Sequence, residues 1–208
     1  GSQIIPPPTP ENNRRIYENP RPFNWGFVIL FDIETAEPLA LMHEYYLSGM
    51  RVGATSGLCV DQVAPKDVKT LGLFGTGKQA GSAFDAINTV RDFERVIVYS
   101  PNPEHREMFV TEKRKQWGDK VEVIMADTPD APVKGADVIC CCTTAMEPVF
   151  DGNLLEDGQL VVSIANSDST NKKRTEVDEA TYAKATNIIV NDWESVIDND
   201  QTELLEPL

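Results

Sequence analysis

The strongest constraint on this chain is the stretch Val68-Lys69-Thr70-Leu71-Gly72-Leu73-Phe74-Gly75-Thr76-Gly77-Lys78-Gln79-Ala80. A short apolar run climbs to Gly75, turns through Gly77 and enters a segment with helical period from 78 to 90. The spacing is that of the G-x-G-x-x-A dinucleotide fingerprint. Its first glycine permits a tight turn, and its second lets backbone N–H groups approach a pyrophosphate. The third small residue lets the helix lie close on the strand, with its positive end toward the phosphates. Gly75, Thr76, Gly77, Lys78, Gln79 and Ala80 are therefore the first candidate cofactor-binding residues.

Beyond the loop, strand and helix periods alternate. Strands are expected at 70–74, 95–99, 121–125, 136–142, 159–164 and 187–190, and helices at 78–90, 104–117 and 178–184, with a short helix or turn near 130–134. Strands separated by helices of this length indicate right-handed βαβ units. The fold class is α/β, a Rossmann-type doubly wound parallel sheet. Upstream, residues 1–25 are rich in Pro, Asn and Arg without a regular period and suggest an extended arm. Residues 26–31 and 38–43 form two strands around the polar turn 32–37, a hairpin pattern. Ser48 is the expected cap of a helix running to Val63, whose Gly53, Ala54, Ser56 and Gly57 imply close packing against a backbone or a ligand.

The formal net charge of −14 argues against nucleic acid and anionic membranes as partners. A dinucleotide needs only local N–H groups and a cation or two. No apolar run approaches the roughly 20 residues of a membrane span. Cys140, Cys141 and Cys142 end an apolar run, and adjacent strand residues point to opposite faces. That geometry suits a buried strand in a reduced, cytoplasmic protein better than a metal or disulfide cluster. His43 and His105 show neither metal-site nor nucleophile–base spacing, so no metal is expected.

In an NAD-binding fold, a carboxylate roughly 20 residues past the glycines bonds the ribose 2′-hydroxyl. Here the second strand ends Ile97-Val98-Tyr99-Ser100-Pro101-Asn102-Pro103-Glu104-His105-Arg106, with Ser100 at the expected acid position. Ser100 and Asn102 could donate to a 2′-phosphate and Arg106 could pair with it, which favours NADP over NAD. The alternative is a plain turn followed by a solvated arginine.

Met50-Arg51-Val52-Gly53-Ala54-Thr55-Ser56-Gly57, followed by the loop through Gln79 and Ala80, resembles the ornithine cyclodeaminase/mu-crystallin family. That family pairs an R-[TV]-x-A-x-S segment with a G-x-G-x-Q-A loop. The turn Asp32-Ile33-Glu34-Thr35-Ala36-Glu37 resembles its hairpin. Thr143-Thr144 and the run from Val161 to Asp168 are similar to the end of its nucleotide domain, which adds Thr143 and Thr144 to the cofactor candidates.

The resemblance implies a nicotinamide-dependent enzyme exchanging hydride at the α-carbon of a small amino or imino acid. It would be a cyclodeaminating lyase, an imine reductase or an amino-acid dehydrogenase. Arg51 takes the substrate-carboxylate role, against the alternative of an ordinary helix ion pair. Asp168 takes the proton-transfer role, against that of a loop residue capping its own backbone. The match is imperfect there, because Asp168 to Glu176 lacks the family's proline and is longer.

The implied organisation is a partial substrate and dimerisation lobe with a linker helix (1–64), a dinucleotide domain (65–192) and a tail (193–208) returning toward the first lobe. An upstream substrate lysine and the family's C-terminal segment have no evident counterpart, so a fragment or shortened member is expected. A homodimer paired through the first lobes is expected too. The second reading is a non-catalytic NADPH-binding protein of the mu-crystallin kind.

Overall fold

The computed structural model describes residues 26–165, 174–198 and 201–205. The chain divides into two compact units, residues 1–51 and 52–208. In the first, β1 (Phe27–Phe31) pairs antiparallel with β2 (Pro38–His43). Asp32 makes the turn: its Oδ1 accepts from the N–H groups of Glu34 (2.9 Å) and Thr35 (2.8 Å) and from the Thr35 hydroxyl (3.0 Å). Those bonds, led by the Thr35 N–H, hold the Asp32 carboxyl below its ordinary pKa.

Helix α1 (Glu44–Val63) follows at once, starting before its expected cap, and Ser48 lies inside it rather than capping it. The chain needs no Ser48 cap, because the Glu44 N–H already donates to the Gly26 carbonyl at 2.7 Å. From Val52 onward α1 belongs to the second unit.

That unit is built on five parallel strands in the order β5-β4-β3-β6-β7. They are β3 (Thr70–Phe74), β4 (Arg95–Tyr99), β5 (Glu122–Met125), β6 (Val138–Cys141) and β7 (Leu160–Ser163). Helix α2 (Lys78–Val90) joins β3 to β4, and α3 (Pro103–Trp117) joins β4 to β5. Every residue of β3 is buried, as a central parallel strand requires.

Alternation sorts the core into two faces. Leu71, Leu73, Val96, Val98, Cys140 and Cys142 pack with Phe84 and Ile87 of α2, while Phe74, Ile139 and Cys141 pack with Val133, Phe150 and Val177. The three cysteines are thus split between faces, and all are free thiols. Burial pushes the Cys141 thiol well above its ordinary pKa, which suits a small apolar core residue.

The small residues of α1 meet a backbone. A Cβ on Gly53 would collide with Ser82, and one on Gly57 would lie 3.1 Å from the Ala86 Cβ, so α1 lies tightly along α2. The far end of α1 is held by Arg91, only 6% exposed. Its guanidinium donates to the carbonyls of Val60, Asp61, Ala64, Pro65 and Val90 and, at 2.6 Å, to the Asp61 carboxylate. The orphan carbonyls of a helix C-terminus are met by one side chain.

Two expectations at the C-terminal side fare differently. Residues 187–190 are not a strand: they join no ladder among the described residues, and Ile188 and Ile189 are 40% and 64% exposed. β propensity is realised only where a neighbouring strand supplies pairing. Helix α4 (Glu179–Lys184) forms as expected, capped by Asp178, and the tail contains α5 (Trp193–Asp198) and α6 (Thr202–Leu205).

Arg91→Met should cost about 3 kcal/mol in urea unfolding, because several buried carbonyls lose their donor together. Hydrogen bonds from Arg91, then Lys66, hold the Asp61 carboxyl down to about 2. Its contribution is therefore complete above about pH 4 and lost as pH falls toward 2, and Asp61→Asn should flatten that part of the acid-stability curve.

Candidate functional site

The strand order reverses between β4 and β6 on either side of β3, so the crevice beyond the carboxyl ends opens there. The glycine loop sits at that point. Gly75 adopts φ +107°, a left-handed conformation that L side chains avoid, and its N–H donates to the Tyr99 carbonyl at 2.9 Å. A Cβ on Gly75 would overlap the Cys142 carbonyl. Gly77, at the start of α2, faces open space, and no side chain caps the helix. Ala80 is fully buried against the sheet. The helix end therefore presents backbone donors to an open surface, as an anion site does.

Two orphaned polar atoms border the same edge. The Oε1 of Gln79 and the Nε of Arg106 are buried without a hydrogen-bond partner among the described residues. Arg106 is 8% exposed and reaches over the Tyr99 ring, 5.1 Å from its centroid. A buried guanidinium stacked on an aromatic face with an unmet donor calls for an acceptor. Ser100 is half-buried just beyond β4. Asn102 caps α3, its side-chain oxygen accepting from the His105 N–H at 3.1 Å, which leaves its amide hydrogens as donors. The open Gly77, the Gly75 cradle and the orphaned Gln79 and Arg106 atoms together fit a dinucleotide.

On the other side of the crevice, Thr143 commits both its N–H and its hydroxyl to Glu176, the hydroxyl at 2.7 Å. Thr144 is exposed. Thr76 and Lys78 are half-buried in the loop. Arg51 is an exposed residue of α1 and ends the first unit. Asp168 lies outside the described residues.

Sequence reasoning reached Glu176 only as the end of the run from Asp168 and gave it no role; it is 1% exposed and gathers donors from the ends of two strands. Its neighbours Thr175, Val177 and Asp178 carry no spacing that marks a buried carboxylate. The stacking of Arg106 on Tyr99 was likewise outside the reach of pattern, since it joins a strand end to a helix turn.

Residues 10–199 match the ornithine cyclodeaminase/mu-crystallin family. The chain belongs to that family. Among curated relatives, a Delta(1)-pyrroline-2-carboxylate reductase of Bacillus cereus is 35% identical over 173 residues, 83% of this chain and 51% of the relative. An NAD(P)H-dependent anabolic L-arginine dehydrogenase of Pseudomonas aeruginosa is 29% identical over 146 residues, 70% of this chain and 45% of that protein. Among solved structures, the Delta(1)-pyrroline-2-carboxylate reductase of Thermococcus litoralis, in complex with NADH and L-proline, superposes with a TM-score of 0.77. It shares 31% identity, over 86% of this chain and 53% of that one. The chain thus spans about half the length of the curated relatives it matches.

Substitution of the two glycines should separate fold from binding. Gly75→Ala forces a strained φ and a clash, so a stability loss above about 2 kcal/mol is expected in thermal unfolding. Gly77→Ala meets no neighbour and should cost about 1 kcal/mol or less. It should nonetheless weaken NADPH binding, read by nicotinamide fluorescence; unchanged affinity would remove Gly77 from the site.

Proposed function

We propose that this chain binds NAD(P)H at the glycine loop, with NADPH preferred, and serves the reduction of the C=N bond of a small imino acid. The observation that carries the reading is the open, uncapped start of α2 beside the orphaned Arg106, in a chain 35% identical to a named imino-acid reductase. When bound, the reduced nicotinamide supplies hydride to the substrate α-carbon. The N–H groups of the Gly75–Ala80 loop hold the pyrophosphate. Arg106, with Ser100 and the Asn102 amide, holds a 2′-phosphate, and the absence of a carboxylate at Ser100 leaves that charge unopposed. Arg51 holds the substrate carboxylate by a bidentate fork, and Asp168 carries the proton for the imine nitrogen.

The relatives named above are a reductase and a dehydrogenase, which favours catalysis over the storage role of a mu-crystallin-like protein. They favour net reduction over deaminating ring closure for the same reason. NADH in the Thermococcus litoralis complex keeps NAD in view as a second cofactor.

A homodimer is part of the proposal. Ile29, Phe31, Leu39 and Leu41 of the hairpin are 52%, 54%, 55% and 66% exposed, an apolar surface that a second copy would cover. Sedimentation at a dimer mass supports this, and a monomer at tens of micromolar overturns it.

The cofactor reading is tested by titrating NADPH and NADH into the wild type, Arg106→Ala and Ser100→Asp. NADPH should weaken by roughly tenfold or more in both variants, with NADH little changed, as expected for loss of one charge-assisted pair or gain of a repulsive one. Equal loss for both nucleotides would argue that Arg106 is structural. Activity is then screened with cyclic imino acids, where Arg51→Met should raise KM; no turnover by a chain that binds NADPH tightly would sink the catalytic reading.

A further inference from the structure

Glu176 takes no part in the chemistry assigned above, yet it holds five donors. Its Oε1 accepts from the Thr143 N–H and hydroxyl, and its Oε2 from the Ser163 hydroxyl at 2.7 Å, the Ile164 N–H at 3.1 Å and the Ala165 N–H at 3.0 Å. Thr143 lies just past the end of β6, and Ser163 to Ala165 run off the end of β7. One buried carboxylate therefore clasps the carboxyl ends of both strands on that flank of the sheet. Its own segment is tied in as well, the Val149 N–H donating to the Glu176 carbonyl at 2.9 Å and the Thr175 N–H to the Ala145 carbonyl at 3.3 Å.

The placement matters because a dinucleotide straddles the point where strand order reverses. On the reading above, the pyrophosphate lies over α2 and the adenosine half goes toward β4, where Arg106 stands. The nicotinamide half then falls to the ends of β6 and β7. In a trans peptide the N–H and C=O point in opposite directions. Pinning the Thr143 N–H to Glu176 thus turns the Cys142 carbonyl away from it, and that carbonyl indeed faces Gly75. The Ala165 N–H is pinned to Glu176, and the Ile164 N–H is shared between Glu176 and the Cys141 carbonyl (3.2 Å), so the Ser163 and Ile164 carbonyls turn away from Glu176 in the same manner.

We propose that Glu176 is the positioning residue of the nicotinamide half of the site, fixing the peptide planes beyond β6 and β7 that the nicotinamide carboxamide meets. This rests on the reading of the chain as an NAD(P)H-binding protein. Glu176 acts through those peptides and does not touch the reacting atoms.

The test uses the full chain, with NADPH and with 2′-phospho-ADP-ribose, which keeps the adenosine half and lacks the nicotinamide. Glu176→Gln is isosteric but offers one acceptor oxygen, so its NH2 group must confront N–H donors on one side. NADPH affinity should fall on the order of tenfold while 2′-phospho-ADP-ribose stays within about twofold. Ser163→Ala, which deletes one donor from an exposed residue, should act in the same direction by less, and it carries the test if the Gln variant does not fold.

Equal loss for both probes, or no loss for NADPH in either variant, overturns the positioning role while leaving nucleotide binding intact. A wild-type chain that binds neither probe overturns the nucleotide reading, and this proposal with it.

Discussion

At Gly75 the ends of three strands come within contact of one another. Its N–H is bound to the carbonyl at the end of β4, and the space its side chain would fill is occupied by the carbonyl just past β6. The central strand can turn out of the sheet here only because the residue has no Cβ and tolerates φ +107°. Everything above the sheet follows from that turn. It sets where α2 begins and lays Ala80 against the core, and it opens the crevice between β3 and β6. Gly53 and Gly57 of α1 then fit against α2 from its other side.

The crevice is asymmetric in its chemistry. Toward β4 it offers Arg106, stacked on Tyr99 with its Nε lacking an acceptor among the described residues, and no carboxylate at Ser100. Toward β6 and β7 it is organised by the buried Glu176 side chain, whose two oxygens accept from five donors. A buried charge without a partner is costly, whereas one met by several hydrogen bonds is a rigid fixture. The first is suited to receiving a ligand's charge and the second to holding backbone still.

Much of this was legible in the chain itself. The glycine loop, the alternating periods and the apolar run at β3 mark a parallel sheet, because the physics that buries such strands demands those residues. The small residues of α1 announced a close approach, and the face-splitting of Cys140, Cys141 and Cys142 followed from strand geometry. Other features depend on distant partners and leave no local trace. Ser48 looked like a cap only while the Gly26 carbonyl was unknown, and residues 187–190 carry strand propensity without a neighbour to pair with. Spacing reached Glu176 only as the end of a run and left its role unread, since its five donors come from two strand ends whose meeting is a property of the fold.

The central claim is that a nicotinamide dinucleotide lies across the carboxyl ends of these strands, centred on Gly75. The most direct measurement is an amide chemical-shift titration of the 15N-labelled chain with NADPH. Shifts are expected at Gly75, Gly77, Lys78, Gln79, Ser100 and Thr144, with Lys69 and Glu94 at the amino ends of the strands unmoved. Shifts confined to the amino ends, or none at saturating NADPH, would contradict it.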